Sequence, residues 1–74
     1  MDNTSISFYL PEDGDVRLTV SNTIGQEIMT LASDNYTKGM HTIQMDANTM
    51  STGVYFYKLE SNNKSITKQL TLVK

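Results

Sequence analysis

His41 is the single histidine of the chain, so any Ser-His-Asp nucleophile would have to be built on it. Serines and aspartates are plentiful, but no serine lies in the Gly-x-Ser-x-Gly elbow that exposes a nucleophile. His41 therefore reads as a structural histidine on a strand. Glu12, Asp13 and Asp15 supply the oxygen ligands that calcium wants, yet the run Pro11-Glu12-Asp13-Gly14-Asp15 lacks the ordered ligand spacing of an EF-hand loop and is first of all a turn. There is no cysteine, which removes disulfides and thiolate zinc sites. No glycine-rich phosphate loop is present. Asn3, Asn35 and Asn63 each open an Asn-x-Ser/Thr sequon, a pattern that arises by chance in so Asn- and Thr-rich a chain. The expectation is no enzyme, no cofactor and no metal.

What remains to position is a set of tyrosines and lysines near the C-terminal end. Gly53-Val54-Tyr55-Phe56-Tyr57-Lys58-Leu59 is the densest β-forming run, bounded by the polar stretches 48–52 and 61–63. Alternation puts Tyr55, Tyr57 and Leu59 on one face and Val54, Phe56, Lys58 and Glu60 on the other. The charges mark the second face as wet, so the first faces a core.

Earlier in the chain, Ile6, Phe8 and Leu10 alternate with Ser5, Ser7 and Tyr9, and Val16, Leu18 and Val20 alternate with Arg17, Thr19 and Ser21. These are two half-buried strands, expected to form a hairpin across Pro11–Asp15. Asn22-Thr23-Ile24-Gly25 is a turn with Gly25 in a left-handed position. Glu27–Ala32 reads as a short or bulged strand and 33–39 as a polar loop. In the strand 40–46, His41, Ile43 and Met45 share a face. A long connection over 46–52 tucks Met50 inward. After the turn at Asn62-Asn63-Lys64, the last strand sets Lys68 on the face of Ile66, Leu70 and Leu72. That placement requires a bulge or a lysine whose stem lies on the core face while its head reaches water.

Seventy-four residues make one small domain, which buries only about 60% of the surface of its unfolded chain. Six or seven short strands punctuated by Gly and Asn predict an all-β fold, a small immunoglobulin-like antiparallel β-sandwich. No apolar run is long enough to span a bilayer as a helix, and no signal peptide is legible at Met1-Asp-Asn-Thr, so an exported protein would need its leader on an upstream segment. The net charge of −2 is uneven: residues 1–57 hold two bases against seven acids (−5), and residues 58–74 hold four lysines against Glu60 (+3). Four lysines are too few to predict nucleic-acid binding.

Four pieces carry a family resemblance: Ile6-Ser-Phe-Tyr-Leu-Pro11; Val16-Arg-Leu-Thr-Val20 running to Ile24-Gly25-Gln26-Glu27-Ile28; Gly39-Met-His-Thr-Ile43 up to Asp46; and Ser51–Leu59 with the closing Thr67–Lys74. As a set they resemble the type A C-terminal sorting domain of the type IX (Por) secretion system of Gram-negative bacteria, over residues 4–74. Residues 1–3 are then a linker remnant. The resemblance implies a secretion signal joined to an N-terminal cargo domain, recognised in the periplasm by the outer-membrane translocon. It also implies removal by a sortase-like peptidase of an attachment complex, which leaves the cargo secreted or at the cell surface. It places the important positions at Gly53 and Tyr55 and on the last strand at Lys68, Leu70, Leu72 and Lys74, with Gly25 as the turn glycine. Met45, where an aromatic is usual, and Gln69, where a second lysine is frequent, depart from the pattern. Edge strands leave room for a weak homodimer. The alternatives are an immunoglobulin-like structural spacer, as in flagellar scaffolds, and a carbohydrate-binding sandwich using Tyr9, Tyr36 and Phe56.

Overall fold

The computed structural model describes residues 3–48 and 50–73. Six strands follow one another: β1 (Asn3–Leu10), β2 (Gly14–Ser21), β3 (Glu27–Tyr36), β4 (Gly39–Asp46), β5 (Gly53–Ser61) and β6 (Lys64–Leu72). Among the described residues there is no helix. They form two antiparallel sheets, one of four strands in the order β3-β2-β5-β6 and one of two strands, β1-β4. This is the all-β, immunoglobulin-like sandwich expected from the alternation, with six strands.

The alternating residues bury as their spacing requires. Ile6, Phe8 and Leu10 of β1 pack on Val16, Leu18 and Ala32 of the other sheet, with Tyr57 and Leu59 at the margin. A second cluster gathers Val20, Met45, Ala47, Met50 and Leu72, flanked by Tyr55, Tyr57 and Leu70. Leu18, Val20 and Met45 are fully buried. Met50 does turn inward, at 6% exposure, and its N–H donates to Ala47 O at 3.1 Å, so the β4–β5 connection is a short cap on the core rather than a loose loop.

Two expectations need correction, and one open alternative is decided. β1 and β2 form no hairpin: β1 pairs with β4, and residues 11–13 carry the chain across to the other sheet. Placing the two apolar faces opposite each other buries both at once, whereas a hairpin would leave them side by side on one surface. The segment 33–36 is not loop but the continuation of β3, with Ser33, Asp34 and Asn35 paired to Arg17, Val16 and Asp15. Asn35 Nδ2 also donates to the Asp15 carboxylate at 3.0 Å. The closing strand has no bulge, since β5 and β6 keep one register from Gly53↔Leu72 to Ser61↔Lys64.

Other details follow the sequence. The irregular stretch after Glu27 is bulged, with register shifts between Leu18 and Thr19 and between Val20 and Ser21 of its partner. Gly25 has φ +86°, and Asn22 closes that turn by accepting from the N–H groups of Ile24 and Gln26 on its side-chain oxygen. Asn62 and Asn63 have φ of 50° and 64°, the two consecutive left-handed residues of a tight two-residue hairpin turn.

Candidate recognition surface

The residues that could do chemistry are occupied structurally. His41 Nε2 lies 2.6 Å from Thr37 O, and its ring packs against Tyr36 and Phe8 at centroid distances of 5.0 and 5.6 Å. Phe8 and Tyr36 complete the trio edge to face at 5.9 Å. The Asp13 carboxylate accepts the Lys38 N–H at 2.6 Å and thereby ties the β1–β2 crossing to the β3–β4 turn. Among the described residues no group of three or more His, Cys, Asp or Glu side chains is placed to hold a metal. The aromatics weighed for sugar binding are scattered: Tyr9 lies on the outer face of the two-stranded sheet, Phe56 on the outer face of the four-stranded one, and Tyr36 in the trio.

The structure separates the residues named from the family resemblance into two kinds. Tyr55 is half-buried at the margin of the second core cluster, and its hydroxyl donates to Ser51 O at 2.7 Å. It therefore clamps the cap that Ala47 and Met50 form over the core. Gly53, one residue pair away, has φ +157°, a backbone conformation that side-chain-bearing residues rarely adopt. A Cβ there would meet nothing within 4 Å, so the glycine is required by backbone conformation and not by close packing. Leu72 is buried in the same cluster, and Leu70 is half-buried beside it.

Lys68 is different. It stays on the core-facing side of β6, opposite Tyr57 of β5, yet it is exposed. Its neighbour on that face, Ile66, is 57% exposed. The cause is the mismatch between the sheets. Two strands cannot cover four, and the β1–β4 pair, packed on β2 and Ala32 of β3, ends with β1. The C-terminal half of β6 is roofed by the β4–β5 cap, and its N-terminal half is left open. Sequence reasoning put Lys68 on this face but had no way to see that Ile66 stays uncovered with it. Lys74 lies outside the described residues.

Lys64 and Lys68 take part in neither of the two ion pairs among the described residues, which join Arg17 to Glu27 at 3.1 Å and Lys58 to Glu60 at 4.0 Å. The upper half of β6 is thus a cationic edge with an apolar floor beside it.

The sandwich thus engages the Tyr55 hydroxyl within the fold and presents Lys64 and Lys68 outward on β6. The family description "secretion system C-terminal sorting domain" matches residues 1–73, and the chain belongs to that family, the sorting domains of the type IX (Por) system. No curated protein and no solved structure matches it significantly. Members of this family are secretion signals of proteins that are secreted or attached to the cell surface by way of the outer membrane. Membership implies interaction with the type IX machinery and attachment to an N-terminal cargo.

Proposed function

We propose that this domain is read in the periplasm by the type IX outer-membrane translocon through the open face of β6 centred on Lys68, and is then removed from its cargo by a sortase-like peptidase of the attachment complex. The observation that carries this reading is the exposure of Lys68 and Ile66 on the same face of β6 as the half-buried Leu70 and the buried Leu72. In this reading the buried Leu72, Gly53 with its positive φ and Tyr55 with its hydroxyl bonded to Ser51 O belong to the fold on which that face is mounted.

The test fuses residues 4–74 behind a signal peptide and a passenger in a type IX-competent strain. The passenger is expected in the medium or on the cell surface, shortened by about the 8.3 kDa of the domain. Equal retention of the passenger with and without the domain overturns the sorting role, and export at full length overturns the removal step.

A further inference from the structure

Between the free edge of β1 and the inner face of β5–β6 runs an open groove of about 220 Å³, with Ser7, Phe8 and Tyr9 on one wall and Tyr57, Leu59, Ile66 and Lys68 forming the floor. A second hollow of about 160 Å³ shares Tyr9, Leu59 and Ile66 with it and extends the groove past Pro11 to Glu12 and Lys64. β1 pairs only with β4, so its other edge offers unpaired backbone donors and acceptors along this groove. Tyr9 is 57% and Met40 66% exposed at its rim. The groove has the place of a third strand in the smaller sheet.

We infer that this groove accepts one extended, acid-bearing peptide strand of a partner protein, added to the free edge of β1 with its carboxylate beside Lys68. From Ser7 to Leu10 the edge of β1 along the groove spans four positions, enough to pair about four residues at ~3.3 Å each. Strand addition gives affinity through backbone hydrogen bonds and specificity through alternate side chains. The floor dictates those side chains: apolar groups over Tyr57, Leu59 and Ile66, and a negative charge at Lys68. β6 carries no acid, and Glu12 lies at the Lys64 end, so Lys68 is the uncompensated charge at the opposite end, beside Ser7 and Tyr57. A folded second copy fits poorly. A strand seated here needs both faces free, and the acidic edge strand β3 commits Ala32, Leu31 and Met29 to its own core. The inference rests on the reading of β6 as the recognised surface, and its test needs no secretion machinery.

The probe is a blocked hexapeptide of alternating valine and threonine with one valine replaced by glutamate, titrated into the purified 74-residue chain by calorimetry and by amide chemical shifts. Shifts are expected at Ser7–Tyr9 and Ile66–Lys68. The Glu→Lys peptide is expected to bind about fivefold more weakly, and Lys68→Glu to reverse that preference. Of two versions N-methylated at alternate residues, one in each register, one is expected to lose binding, because only one edge of the strand faces β1. Equal binding of both N-methylated versions, indifference to the Lys68→Glu reversal, or a concentration-dependent dimer occupying β1 in sedimentation overturns the inference. Binding by these criteria in a domain that exports no passenger sinks the sorting role alone.

Discussion

Tyr55→Phe isolates the clamp from the ring. The substitution removes only the hydroxyl that donates to Ser51 O at 2.7 Å and leaves the half-buried ring on the second core cluster. A neutral hydrogen bond contributes about 0.5–1.5 kcal/mol, and this one is reached by solvent, so the expected loss is about 0.5–1 kcal/mol. With a urea m-value of about 1 kcal/mol/M for so small a domain, the unfolding midpoint should fall by roughly 0.5–1 M at unchanged m. The chain has no tryptophan, so circular dichroism or tyrosine fluorescence is the readout. The local consequence is sharper. Met50 N–H, which bonds Ala47 O at 3.1 Å inside the cap, should exchange with deuterium markedly faster, while amides in the middle of β2 speed up only by the global loss. A Tyr55→Phe domain with wild-type midpoint and wild-type protection at Met50 would refute the clamp, and with it the assignment of Tyr55 to the fold.

Leu18→Ala, at a side chain with no exposed surface, should cost about 2–5 kcal/mol by calorimetry or urea titration. That is a large share of the about 4–11 kcal/mol such a chain can hold, and a loss below 1 kcal/mol would show that the two sheets do not pack there. Gly53→Ala, at φ +157° with open space around it, should destabilise by about 1–2 kcal/mol through backbone strain alone, and no second substitution nearby should rescue it. Asn63→Gly should stabilise by a few tenths to about 1 kcal/mol, since the turn already holds φ of 50° and 64° and Asn-Gly suits that geometry best. Destabilisation would mean that the Asn63 side chain contributes more than its backbone.

Much of this was legible in the residues. The alternation of Val16, Leu18 and Val20, of Ile6, Phe8 and Leu10, and of Tyr55, Tyr57 and Leu59 fixed which side of each strand turns inward, because burial is the only force that sorts a period of two. Met50 and Gly25 were readable for equally local reasons. Pairing was not, because alternation says which face is buried and nothing about which strand lies alongside; β1 found β4, thirty residues away, and not its neighbour. The extension of β3 through Ser33–Tyr36 left no apolar trace, since three of those four residues pair with β2 while staying exposed to water. The open half of β6 was legible only as an anomaly, a lysine in line with Ile66, Leu70 and Leu72. Its explanation needs the count of strands in the opposite sheet.

The most direct test measures folding and export on the same Lys68→Glu domain, because misfolded and unrecognised cargo are alike in a secretion assay taken alone. An exposed lysine outside both ion pairs should change the unfolding free energy by no more than about 0.5 kcal/mol when reversed. The passenger should nevertheless stay inside the cell. Export at the wild-type level from a normally folded Lys68→Glu domain would contradict the account.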